Sequence, residues 1–131
     1  MEKQDYTDNN PGPCCMKIED MLFYAQPVIG KWPPFYRYTI GEEMMTEMLL
    51  MLRLATKARL RYHNRTTLAD LDTSKAVLET FLRQANRIEF TDKAGHRRRL
   101  ITDKNYESWS SQLVEIGNLI GGWILSVKDR K

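Results

Sequence analysis

Four stretches of this chain place apolar residues three and four positions apart, and none alternates them, so the pattern calls for helices packed face to face. The first stretch holds Ile18, Met21, Leu22, Ala25 and Ile29 and predicts a helix from about Met16 to Ile29. Pro27 should loosen its last turn, and Gly30 should end it. The second begins at Thr39, whose side chain with Glu42 three residues on makes a capping box, and runs to about Tyr62, roughly 35 Å at helical rise. The third, Leu68 to Ile88, is capped by Thr67 with Asp70 and buries Leu71, Leu78, Phe81, Leu82, Ala85 and Ile88. The fourth, Asp103 to Val127, is capped by Thr102 and buries Tyr106, Trp109, Leu113, Ile116, Ile120, Trp123 and Val127. Between the first two helices, Lys31 to Tyr38 reads as a packed loop, because Pro33 and Pro34 impose extended geometry on themselves and on Trp32. The expected fold is all-α: an antiparallel up-down four-helix bundle over residues 16–127, with a flexible arm at 1–15 and a basic tail at 128–131.

The second helix is too apolar for a bundle alone. Met44, Met45, Met48, Leu49, Met51, Leu52, Ala55, Ala58, Leu60 and Tyr62 cover well over half its circumference. A helix buried on one side needs a narrower stripe, so a second covered surface is expected, in an oligomer or against a partner. In the last helix, Gly117 and Gly121 stand one turn apart, which would let another helix backbone come close.

Chemistry is scarce. The chain has 131 residues, 42% apolar and 28% charged, which suits one globular domain with its own core. Its longest apolar runs, Met48 to Leu52 and Leu119 to Leu125, fall far short of a membrane span, and the polar start is no secretory signal. Cys14 and Cys15 are adjacent, which suits reduced thiols in a cytoplasmic protein. His63 and His96 make no zinc spacing with them. There is no Gly-rich phosphate loop and no Glu-x-x-His, and Glu42-Glu43 is explained by capping. No enzyme activity, metal or cofactor is expected.

The charge is uneven. Residues 1–47 hold four Lys and Arg against eight Asp and Glu, whereas residues 48–101 hold twelve against five. Such a basic block favours a polyanion. Arg53, Lys57 and Arg61 recur at four-residue steps, which sets like charges on one helix side at roughly 0.2–0.5 kcal/mol of repulsion per pair. Arg83 and Arg87 continue a second row from Lys75 and Glu79. Arg97, Arg98 and Arg99 are consecutive and read as a mobile basic loop able to touch phosphates but not bases. The other reading is a protein-interaction bundle whose cations face solvent or an acidic partner.

The run from Leu113 to Ile124 (LVEIGNLIGGWI) resembles the C-terminal signature of the Avd family, the accessory variability determinants of diversity-generating retroelements. These are related to bacterial four-helix-bundle proteins of ribosomal-RNA intervening sequences. Lys31 to Gly41 (KWPPFYRYTIG) is similar to the family's Pro-containing aromatic loop, and Arg83 stands where its members carry basic residues; the longer basic loop at 96–99 is a departure. The resemblance implies a non-catalytic, barrel-like homopentamer in the cytoplasm of a bacterium, or encoded by a phage. It would bind the element's reverse transcriptase and template RNA, or the cDNA or RNA–DNA hybrid made on it, to support adenine-mutagenic cDNA synthesis and retrohoming. The phosphate contacts would then fall to Arg53, Lys57, Arg61, Arg83 and Arg87, with Arg97, Arg98 and Arg99 auxiliary.

Overall fold

A computed structural model of the chain describes residues 12–128. Four long helices carry it: α1 (Gly12–Gly30), α3 (Glu42–Leu60), α4 (Arg65–Asn86) and α5 (Asp103–Lys128), with a single-turn α2 (Pro34–Tyr36) after α1. Each long helix packs on two others, in the closed order α1, α3, α4, α5. Contacts at both ends fix the directions. Ile29 at the end of α1 meets Gly41 just before α3, while Gly12 meets Arg59 near the end of α3. Ser74 meets Glu47, Lys75 lies on Gly117, and Arg65 donates to the Lys128 carbonyl. Lys17 pairs with Glu115, and the Tyr24 hydroxyl donates to Asn105. Every neighbouring pair is therefore antiparallel, giving an up-down bundle.

The core follows the apolar stripes. Ile18, Met21, Met44, Met48, Met51, Leu71, Leu78, Trp109, Leu113 and Ile116 are fully buried, each such side chain worth about 1.5–3 kcal/mol against exposure. The methionines of α3 are thus core filler, with Met45 half-buried at the margin. Tyr24 closes the α1–α5 seam edge-on to Trp109, with ring centroids 6.2 Å apart.

Several local expectations need correction. α1 begins at Gly12, so Cys14 and Cys15 belong to the helix and are buried in the core. The rest of the expected arm, and residues 129–131 of the tail, lie outside the described residues. Gly12 has φ +80°, a conformation that favours glycine, and Pro13 stands in the first turn, where its missing N–H is harmless. α1 keeps Pro27 inside it and ends at Gly30, as expected from the glycine there.

Lys31 to Tyr38 is not a plain loop. Pro33 is extended (φ −56°, ψ 148°), but Pro34 opens α2, because a first helical residue needs no N–H. A wider π-type turn, Arg37–Gly41, then leads directly into α3. Thr39 is therefore inside a helical path rather than at an N-cap, and its hydroxyl donates to the Phe35 carbonyl at 2.7 Å. The start of α3 needs no side-chain cap because carbonyls of the preceding turn accept its amides. Glycine is required at Gly41: a Cβ there would stand 2.9 Å from Ile29 Cγ2 and 3.1 Å from the Tyr36 carbonyl.

α4 starts at Arg65, not at Leu68, and Thr67 is not its cap. The buried Asn64 precedes it and fastens the turn from α3 by donating Nδ2 to the Ala58 carbonyl at 2.8 Å. The expected basic loop is a hairpin. β1 (Glu89–Thr91) pairs antiparallel with β2 (Arg97–Arg99), so Glu89 faces Arg99, Phe90 faces Arg98 and Thr91 faces Arg97. Asp92 Oδ1 accepts the amides of Ala94 and His96, and Gly95 turns the chain at φ +87°. The buried Leu100 and Ile101 anchor β2 to the bundle. The Thr102 cap is present: its hydroxyl accepts the Asn105 amide at 3.1 Å. Gly117 admits the Lys75 side chain, whose Nζ lies 3.2 Å from where a Cβ would be, rather than a helix backbone; Gly121 and Gly122 face open space.

Candidate nucleic-acid interface

The second helical stripe does leave an apolar surplus on the outside. Leu49 and Leu60 of α3 are 52% and 51% exposed, Leu50 is also exposed, and Phe23 of α1 is 74% exposed. The antiparallel register of α1 and α3 sets Phe23 about level with Met48, next to Leu49 along the chain.

The eight cations fall into two groups. Arg53 and Lys57 are exposed on the outer side of α3, away from the buried Met44–Ala58 stripe. Arg61 is off their line, because α3 ends at Leu60 and Arg61 is extended (φ −124°, ψ 140°). This group sits toward the α3–α4 turn, where Arg65 and the Tyr62–His63 ring pair also lie.

Arg83 and Arg87 occupy the other end. The Glu47–Ser74 contact sets Arg53 level with Leu68, so Arg53 and Arg83 are about 22 Å apart along the bundle axis at helical rise. Arg83 is exposed and donates to Thr80 Oγ1 at 3.2 Å. Arg87 caps the end of α4 in helical geometry, exposed. Among the described residues, Arg53, Lys57, Arg61, Arg83 and Arg87 form no ion pair, so their charges are available to a partner.

The three hairpin arginines differ. Arg97 Nε is 3.3 Å from Glu89, Arg98 Nε is 2.6 Å from Asp92, and Arg99 pairs with Asp103 while donating to Asn86 Oδ1 at 2.6 Å. They are exposed, but each already has a carboxylate. The Arg98 guanidinium, and next the His96 amide, hold the Asp92 carboxyl below the usual carboxylate range. A phosphate binding here competes with these acids.

Beside the hairpin stand the aromatics of Lys31–Tyr38, a segment expected to pack on the bundle. Trp32 is buried and Tyr36 half-buried, but Phe35 and Tyr38 are 69% and 66% exposed. Tyr36 meets Phe35 edge-on at 5.1 Å and Phe90 of β1 at 6.1 Å. The Arg37 guanidinium lies 5.1 Å over the Tyr38 ring and donates to the Gly30 carbonyl at 3.0 Å. The interleaving of Arg37 with four aromatics was the signal in the sequence.

Elsewhere, an open groove of about 570 Å³ between α1 and α5 is lined by Pro13, Met16, Lys17, Asp20, Glu115, Asn118 and Leu119. Across it Lys17 pairs with Glu115 at 3.2 Å. Among the described residues no group of three or more His, Cys, Asp or Glu could hold a metal ion, and no helix is long and apolar enough to cross a membrane.

Residues 14–127 match the model of a family described as bAvd-like. No curated protein sequence matches the chain.

Proposed function

The chain belongs to the bAvd-like family, and on that premise we propose that it is a non-catalytic accessory subunit of a diversity-generating retroelement, encoded by a bacterium or phage and acting in the cytoplasm. It binds the element's reverse transcriptase and its template RNA, or the cDNA or RNA–DNA hybrid made on it, and so supports adenine-mutagenic cDNA synthesis and retrohoming. The family match carries this reading, because it spans all four long helices of the bundle. The unpaired cations support it: Arg53, Lys57, Arg61, Arg83 and Arg87 present charge to phosphates, with Arg97, Arg98 and Arg99 as auxiliary contacts. The exposed Leu49, Leu60 and Phe23 provide the apolar surface for a barrel-like homopentamer.

The test is co-purification of this protein with the polymerase encoded beside it, with and without RNA, followed by RNA titration at two salt concentrations. Affinity for RNA should fall steeply with salt, and Arg83→Glu with Arg87→Glu should abolish RNA-dependent cDNA synthesis. Arg98→Ala should weaken binding less than Arg87→Ala, since Arg98 is already held by Asp92. The carboxylate partners of the hairpin arginines favour a second reading, a bundle that binds protein alone. RNA binding that is absent even in dilute buffer, with polymerase binding retained, would select it.

A further inference from the structure

We propose that Phe35 and Tyr38 form a stacking platform for unpaired RNA bases, so that the hairpin end of the bundle takes single-stranded RNA in preference to duplex. This rests on the RNA-binding reading above and narrows it to a substrate class and a place.

The rings are held in position without being covered. Phe35 and Tyr38 are both more than 60% exposed, three residues apart on one helical path. Tyr36 props Phe35 edge-on and is itself wedged against Phe90. Arg37 covers one face of Tyr38 and is tethered to Gly30, which leaves the other face to solvent. Thr39 closes the turn on the Phe35 carbonyl. Exposed aromatics fixed in this way offer flat faces at little entropic expense.

The charge around them is net positive, although Glu42, Glu43 and Asp103 border it. Residues 31–41 and 83–99 together hold eight Lys and Arg against two acids. Phe90 joins the two segments: its ring meets Tyr36, its cross-strand neighbour is Arg98, and Arg87 is three residues away, at most about 10 Å along the chain. Lys31, Arg87 and Lys93 are exposed and form no ion pair among the described residues.

Cations interleaved with open rings match a single strand. The cations follow the phosphates, and each ring takes a base face. In a duplex those faces are hidden by neighbouring base pairs, so the rings would gain nothing. An acidic protein segment would satisfy the cations but leave the rings in water, so unpaired nucleotides fit both features together.

The test is fluorescence anisotropy of the purified full chain with a labelled oligoadenylate and with an RNA duplex of equal length. The wild type should prefer the single strand. Phe35→Leu and Tyr38→Leu should each weaken single-strand binding about ten-fold, leave duplex binding unchanged, and leave the salt slope unchanged because no phosphate contact is lost. Tyr38→Phe keeps a ring and should keep the affinity. Circular dichroism should show an intact bundle in all three. Equal affinity for both RNAs, or leucine variants that bind single strands normally, would overturn the platform and leave the RNA-binding reading standing. Loss of polymerase association with RNA affinity intact would also overturn it and make the surface a protein contact. A wild type that binds neither RNA would sink both readings.

Discussion

The Ser74 hydroxyl donates to the Glu47 carboxylate at 2.5 Å across the seam between α3 and α4. Ser74 is almost fully buried, and Glu47 is half-buried. Ser74→Ala removes a charge-assisted donor from a carboxylate that water reaches poorly. The variant should lose about 1.5–3 kcal/mol of stability, read as a lower urea midpoint at unchanged slope.

Gly41 and Gly121 should respond in opposite ways to alanine. At Gly41 the new methyl meets Ile29 and the Tyr36 carbonyl, and Gly41→Ala should destabilise by about 1–3 kcal/mol. At Gly121 nothing lies within 4 Å, so Gly121→Ala should raise the melting temperature of the isolated chain, gaining up to about 1 kcal/mol from helix propensity. A Gly121→Ala variant that melts lower, and more so at high protein concentration, would contradict this and mark the position as a subunit contact.

The adjacent thiols should be inert in the folded protein. Burial, and secondarily its neighbour Cys15, push the Cys14 thiol up to about 12. Burial also raises Cys15, against opposing pulls from Thr56 and Arg59. A raised folded pKa means the protonated thiol belongs to the native state. That contribution is complete below the ordinary thiol pKa of about 9 and drains away as the pH climbs toward 12. A thiol reagent at mildly alkaline pH should therefore label neither cysteine until denaturant is added, measured by mass shift. Rapid native labelling would refute it.

The hairpin should be acid-sensitive. Arg98, then the His96 amide, lower the Asp92 pKa, so its stabilisation is present above the ordinary carboxylate pKa of about 4 and is lost as pH falls through the lowered value. The backbone amides of Ala94 and His96, both donors to Asp92 Oδ1, should shift together in an NMR acid titration. Asp92→Ala should abolish that titration and loosen the pairing of Glu89 with Arg99 at neutral pH.

The bundle was legible because its helices run four turns or more, long enough for apolar spacing to repeat, and Thr102 announces α5 by a cap that is indeed made. Shorter elements carry no period. β1 and β2 have three residues each, and the alternation in Glu89–Thr91 is too brief to distinguish from loop; Asp92 with Gly95 was the available turn signal. Pro34 misled because the rule against helix applies to interior prolines and not to a first residue. Thr39 misled because a capping pattern cannot show that the chain before it is already helical. The cation row failed at Arg61 for a similar reason: four-residue spacing assumes a helix that stops one residue earlier. Which aromatics of Lys31–Tyr38 pack and which stand in solvent depends on the hairpin docking through Phe90, a contact more than fifty residues distant in sequence.

The fit of Ile29 and the Tyr36 carbonyl around Gly41 leaves the joint between α1 and α3 without slack. The turn that bears Phe35 and Tyr38 is therefore anchored at its Gly41 end, and Tyr36 packed on Phe90 anchors its middle. A ligand arriving there meets a surface ordered in advance and surrenders little chain freedom on landing. Capture at that end should proceed at the pace of collision, with no preceding rearrangement to wait for.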